Sequence, residues 1–202
     1  SKFDSSGTFL WAKTWGSAGL SDDIGFGVVA DSSNNVCVTG YFMGTVDFDP
    51  GASVDDHISN GLKDIFLSKL AASGVFIWAQ TWGGVMDDTG YGVATDSSDN
   101  IYTTGYFQST VDFDPSGNVD NHSSNGLWDI FLSKLDASGA FIWAKTWGGS
   151  SDDVGWEVAT DGSNIYATGS FTGIVDFDPG AGVDNHTSNG ETDAFLAKFP
   201  PE

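Results

Sequence analysis

The sequence predicts an all-β fold, built as β-propeller blades from three four-stranded repeats, and three observations carry that prediction. One stretch occurs three times, as TGYFMGTVDFDPGASVDDHISNGLKDIFLSKL from Thr39, TGYFQSTVDFDPSGNVDNHSSNGLWDIFLSKL from Thr104 and TGSFTGIVDFDPGAGVDNHTSNGETDAFLAKF from Thr168. With its flanks GTFLWAKTWG, GVFIWAQTWG and GAFIWAKTWG, from Gly7, Gly74 and Gly139, it repeats with a period of 64 to 67 residues. Self-similarity on that scale means units that bury their apolar faces against their neighbours. Within each unit, four short runs are rich in aromatic and β-branched residues, and no helical period of useful length is present. Tight turns then alternate with longer acidic connections, the hairpin rhythm of a blade rather than of a solenoid coil.

The middle repeat shows the reasoning for each element. GYGVATD (residues 90–96) is the first strand, closed by the turn Ser97-Ser98-Asp99, whose side chains bond nearby backbone. NIYTTGYFQSTVDF (residues 100–113) is the second, followed by a long acidic loop that contains DFDP. DIFLSKL (residues 129–135) is the third, and Asp136-Ala137-Ser138-Gly139 turns it into AFIWAKTW (residues 140–147), the fourth. In that last strand Phe141, Trp143 and Trp147 point to one face and Ile142 and Ala144 to the other, as a sheet covered on both sides requires. The whole chain, 1–202, reads as one repeat domain: an N-terminal strand 1–16, then blades at about 22–83, 87–148 and 152–199, the last without its own fourth strand.

Composition narrows the function. Seven basic residues against 28 acidic ones give a net charge of −21, which repels phosphate backbones and anionic lipid. Nucleic acid is excluded as a partner; cations, basic proteins and neutral glycans are favoured. No apolar run approaches the ~20 residues that span a bilayer, so membrane insertion is not expected. Cys37 is the single cysteine, so neither an internal disulfide nor a thiol zinc site can form. Its slot holds Tyr102 and Tyr166 in the other copies, which marks a packed strand position.

The string FLSKLDASGAFIWAKTWGGSSDDVGWEVATDGSNIYATG resembles the SBBP-type bacterial propeller repeat, whose units share K-L-x-x-x-G, W/Y-x-x-x-x-G-G, D-D and A-x-D-x-x-x-N-x-Y-x-T-G in that order. The resemblance runs through all three copies. It implies the propeller fold and, because such repeats are typical of surface and secreted bacterial proteins, an extracellular or cell-surface location. It implies no single activity.

If the first strand of each blade runs from top to bottom, the Asp-Asp and DFDP connections share one strongly acidic face. The candidate metal ligands are the DFDP acids Asp47, Asp49, Asp112, Asp114, Asp176 and Asp178, joined by Asp55, Asp120 and Asp184 eight residues after each first acid. Calcium takes six to eight oxygens at flexible geometry, which an acidic Gly/Pro loop can supply; the competing role is side-chain turn bonding. For Asp22-Asp23, Asp87-Asp88 and Asp152-Asp153, backbone binding is the stronger reading. His57, His122 and His186 share a slot but lie well off the blade axis, so no joint metal site is expected. The Trp11/Trp15, Trp78/Trp82 and Trp143/Trp147 pairs read as core packing. Trp128 stands where Lys63 and Thr192 stand in the other copies and is the tryptophan most expected to contact a ligand. Asn121 and Asn185 open N-x-Ser/Thr triplets and are candidate glycosylation sites.

No nucleophile is set beside a base in a recognisable motif, so an enzyme is not expected, and neither a catalytic residue nor an organic cofactor is assigned. The leading expectation is a non-catalytic extracellular structural or assembly module stiffened by calcium. The alternative is a glycan- or protein-binding, adhesin-like propeller that uses the acidic loop face. Residues 1–3 match the end of a third strand and 8–15 a fourth strand, while 193–199 form a third strand lacking its fourth. The expected partner is therefore another copy, whose N-terminal strand completes the last blade in a ring, six-bladed from two chains, or in a fibre.

Overall fold

The structure is a computed structural model that describes residues 1–19 and 21–200. Among the described residues there is no helix, and every strand pairing is antiparallel. β1 (Lys2–Phe3) pairs with β2 (Phe9–Trp11). β3 (Ile24–Ala30), β4 (Val36–Phe42), β7 (Asp64–Leu70) and β8 (Phe76–Trp82) form a four-stranded sheet in chain order, with β5 (Thr45–Asp47) and β6 (Asp56–Ile58) as a small hairpin beyond its end. β9 (Thr89–Thr95), β10 (Ile101–Asp112), β11 (Asn121–Leu135) and β12 (Phe141–Trp147) repeat this sheet, and β13 (Val154–Thr160), β14 (Ile165–Asp176) and β15 (Asn185–Phe199) form a three-stranded one.

Two elements differ from the sequence expectation. Residues 121–128 were expected in a loop but belong to β11, where Asn121, His122 and Ser123 pair with Asp112, Val111 and Thr110, and Trp128 pairs with Gln108. Asn121 and Asn185 therefore open strands, and Trp128 sits on one. The Asn, Ser and Gly content of NHSSNG suggests a turn, but its alternating half-buried and exposed residues show a strand with one covered face. The N-terminal strand, expected over 8–15, is only Phe9–Trp11, because Lys2 and Phe3 are all the third strand it has to pair with.

The sheets pack face to face through two apolar cores. One joins the first and second units around Ile65, Leu67, Trp82, Phe107, Phe131 and Leu135; the other joins the second and third around Leu132, Trp147, Phe171, Phe195 and Phe199. Trp82 and Trp147 are buried, as the core-packing reading requires, and Trp147 sits 5.1 Å from the Phe199 ring centre. The Thr-Gly step of each second strand shapes both kinds of contact: within its own sheet a methyl group on Gly105 would overlap the Thr89 carbonyl and the Phe131 ring, and across the junction a methyl group on Gly155 would overlap the Thr104 hydroxyl.

Far from the acidic loops, the tight turns close on side-chain bonds. Asp96 Oδ1 accepts from the Ser98 and Asn100 amides at 2.8 and 3.0 Å, and Asp99 adopts φ 61°. The turns also brace neighbouring units. Lys69 donates to buried Asp31 at 2.9 Å and to the Ala137 carbonyl of the next unit at 3.1 Å, and Lys2 reaches the Ala72 carbonyl at 2.8 Å. Cys37 is fully buried, and burial pushes its thiol up to about 12.

Candidate functional site

Antiparallel order places both long connections of every unit at one end, so the paired aspartates and the DFDP segments share a face. The DFDP carboxylates are engaged in turn chemistry. Asp47 Oδ1 accepts from the amides of Asp49 at 3.0 Å and Asp55 at 2.9 Å. Asp112 does the same for Asp114 and Asp120 at 3.1 and 2.8 Å, and Asp176 for Asp178 and Asp184 at 3.1 and 2.8 Å. The second acid caps the next amide: Asp49 with Gly51 at 2.7 Å, Asp114 with Ser116 at 2.8 Å, Asp178 with Gly180 at 2.8 Å. Asp55, Asp120 and Asp184 each face their own histidine, His57, His122 and His186, at 3.2, 3.4 and 3.2 Å. Among the described residues no group of three or more His, Cys, Asp or Glu side chains is gathered as a metal cage.

The second acid of each Asp-Asp pair clamps loop backbone. Asp88 accepts from Gly84 N at 2.7 Å and Gln108 N at 2.9 Å, Asp153 from Gly149 N at 2.7 Å and Thr172 N at 2.9 Å, and Asp23 from Ser17 N at 2.6 Å and Met43 N at 3.0 Å. The first aspartate of the third strand lies beside the clamp of the following unit. Asp64 and Asp129 are each 1% exposed, and each leaves Oδ1 without a donor. Burial pushes both carboxyls up to about 6; Asp88, buried and facing Asp64 and Asp87, is pushed up to about 7. Sequence reading missed these acids because a single aspartate at a strand start carries no motif.

A second feature is a row of rings. Each first strand carries a β-bulge, at Gly25/Gly27, opposite Thr104/Gly105 and at Gly155/Glu157, and the extra residue is aromatic: Phe26, Tyr91, Trp156. These rings meet across the units, with centres 4.7 Å apart for Phe26 and Tyr91 and 4.6 Å for Tyr91 and Trp156. Trp128 is half-buried and stacks on Tyr106 at 4.5 Å and 22°. In the first unit the Trp128 slot is Lys63, whose ammonium lies 4.9 Å over the Tyr41 ring and 4.0 Å from Asp87. The signal for the row was in the sequence: the slots IGFGV, TGYGV and VGWEV keep one aromatic in place.

Strand order, bulged first strands and the Thr-Gly packing together fit a propeller repeat. Residues 77–106 match the SBBP beta-propeller repeat. That segment runs from the last strand of one unit through the first strand of the next and into its second, a span that crosses the junction. The chain is also 27% identical over 217 residues to an uncharacterized WD repeat-containing protein, L264, of Acanthamoeba polyphaga mimivirus, covering 94% of this chain and 16% of that protein. It is 25% identical over 168 residues to the regulatory protein FlaEY of Caulobacter vibrioides, covering 81% of this chain and 17% of that protein. The chain thus spans about a sixth of the length of these curated relatives. No helix among the described residues is long and apolar enough to cross a membrane.

Proposed function

We propose that this chain is a non-catalytic structural module of β-propeller blades that works outside the cell or on its surface and associates head to tail with further copies of itself. The supporting observation is that one interface, formed twice within the chain, is left half-open at either side. Leu67 and Leu132 are each 0% exposed against the following unit, whereas Leu196 in the same slot is 73% exposed. Val93 and Val158 are buried against the preceding unit, whereas Val28 in their slot is 69% exposed. The two open faces are therefore complementary halves of a contact whose geometry the chain already contains.

Beside β15, where no fourth strand pairs among the described residues, lies a cavity of about 330 Å³ lined by Phe171, Phe177, His186, Asn189, Asp193 and Phe195. In the other units this space holds a fourth-strand threonine: His57 Nδ1 meets Thr81 Oγ1 at 2.8 Å, and His122 Nδ1 meets Thr146 Oγ1 at 2.9 Å. Thr14 occupies that slot in the N-terminal segment. The segment already stands as a preceding blade's last strand: Lys2 faces Trp11 as Lys134 faces Trp143, and Trp15 approaches Phe66 edge-on at 6.1 Å as Trp147 approaches Phe195 at 6.3 Å. Residues 9–16 of one copy fit the open edge of the next, giving a ring or a fibre. Further blades of a longer polypeptide would make the same contacts; a second copy is the occupant proposed.

Calcium enters this reading as a counter-ion for the acidic loop face of a chain with net charge −21 rather than as a caged ion, since the DFDP carboxylates already serve loop amides. Sedimentation of the intact chain at micromolar concentration should give multimers, and removing residues 1–15 should give monomers. Leu196→Glu alters a side chain that is exposed in the single chain, so it should abolish association while leaving the fold intact. A monodisperse, folded monomer of the intact chain refutes the proposal.

A further inference from the structure

The ring row and the acids beside it have no role in the assembly reading, and they run across the middle of the chain rather than along its open sides. Trp128, Tyr106, Tyr91 and Trp156 form a contiguous row of rings, with centre distances of 4.5 Å, 6.0 Å and 4.6 Å in that order and Tyr106 buried beneath the others. Trp156 meets Tyr91 on one side, its indole N–H donates to Ser170 Oγ at 3.0 Å, and it is still 49% exposed. The backbone of this row is anchored to the acidic pairs. The Trp128 carbonyl accepts from the Asp153 amide at 2.8 Å, as the Lys63 carbonyl accepts from the Asp88 amide at 2.8 Å. Asp87 and Asp152, the first acids of their pairs, therefore flank the row at equivalent places, and Asp152 is exposed.

The chain shows what such a place accepts. At the first junction Lys63 holds its ammonium between the Tyr41 ring and the Asp87 carboxylate. That is a cation over a π face with a counter-charge at its side, an arrangement that strengthens as water is excluded. The influence of nearby acids extends to the ring hydroxyls: burial first, and then Asp22, Asp23 and Asp87, push the Tyr41 phenol up. At the second junction the lysine slot is Trp128, which adds a ring and leaves the cation to come from elsewhere.

We propose that Trp128, Tyr91 and Trp156, with Asp87 and Asp152, form a docking strip for the lysine or arginine side chains of a basic protein segment. Trp128 fills the space over Tyr106 that Lys63 fills over Tyr41, so the partner's cations lie beside Asp152 and over the outer faces of Trp128 and Trp156. Charge complementarity favours such a partner over a neutral glycan, because sugar hydroxyls can donate to the carboxylates but bring no charge to neutralise them. It also favours it over nucleic acid or an anionic surface, which the net charge of −21 repels.

Titration with a ten-residue lysine peptide, followed by calorimetry and tryptophan fluorescence, tests the proposal. Binding should weaken as salt rises, and the indole emission should change on binding. Trp128→Leu and Trp156→Leu alter no charge and should weaken binding about three- to tenfold at fixed ionic strength, the range of a cation–π contact. Asp152→Asn should weaken it as well, whereas Asp161→Asn, which removes the same charge at the opposite end of the sheet, should change it less than twofold. Circular dichroism checks that each variant is folded. Because Trp128 lies away from both open faces, Trp128→Leu should leave the sedimentation behaviour unchanged, which separates this proposal from the assembly one. Equal binding by the folded tryptophan variants would reduce the effect to diffuse charge and overturn the proposal. So would absence of binding, or salt-insensitive binding of maltohexaose in place of the peptide.

Discussion

Replacing Asp129 by asparagine isolates the cost of burying charge at a junction between repeats. Its Oδ2 accepts from the Asn125 amide at 2.9 Å and side chain at 3.1 Å, while its Oδ1 has no donor. Burial is the largest influence on its carboxyl and pushes it from 3.8 up to about 6. A raised value means that the folded chain holds a proton which the unfolded chain has already released. The associated stability is fully present below the unfolded value and is lost as pH rises through about 6. The gap, roughly two pH units, corresponds to about 3 kcal/mol, or about 6–12 °C in melting temperature for a chain of this size. Asp64 and Asp88 act in the same direction, so the unaltered chain should lose stability between about pH 5 and about pH 7.5. Urea denaturation at those two pH values is the assay, and Asp129→Asn should shrink the difference by about 1.4 kcal/mol, the share of the full effect that is lost above about pH 5. Absolute stability is a poorer guide, since a new amide N–H without a partner costs about 1–3 kcal/mol by itself. An unchanged difference would mean that the Asp129 carboxylate is ionised throughout this range, and the reasoning would fail.

Other perturbations have distinct signatures. Lys69→Met leaves Asp31 buried without its ion pair and removes the bond to Ala137; a loss of about 3–5 kcal/mol in urea denaturation is expected, and a loss near zero would contradict the pairing. Gly105→Ala drives a methyl into the Thr89 carbonyl and should cost about 3 kcal/mol or more, read as a fall in melting temperature. Buried Cys37 should react with a thiol reagent only as fast as the chain unfolds; reaction in the folded state at the rate of a free thiol would show that the strand opens locally. If calcium serves as counter-ion to the loop face, magnesium should raise the melting temperature comparably and added salt should erase both effects. A rise specific to calcium and insensitive to salt would require a cage instead.

The fold was legible wherever a residue's constraint is local. Trp147 shares a face with Trp143 and alternates with Ala144 and Thr146 along a short strand, and its burial follows from that period. The turn at Asp96 follows from Asn100 and Ser98 as bonding partners. NHSSNG was illegible because its strand is held by its partner, Thr110 to Asp112, rather than by propensity. The site was less legible for a related reason. Asp47, Asp112 and Asp176 carry the same composition whether they hold an ion or an amide, and only the position of the Asp55, Asp120 and Asp184 amides decides which oxygen is occupied. The orphan oxygens of Asp64 and Asp129 depend on the following unit being in place, so nothing in either residue's own repeat announces them.

The leucine slot implies that position in the row, not residue identity, sets tolerance to change. At Leu132 a serine would open a void between two sheets and forfeit about 2–5 kcal/mol, whereas at Leu196, 73% exposed, the same replacement would cost a lone chain little and make it more soluble. A lineage that lengthened such an array would turn the permissive site into a strict one without touching it. One that shortened the array would release constraint on whichever repeat came to stand last. Sequence drift between otherwise identical repeats is then a record of how long each has had a neighbour.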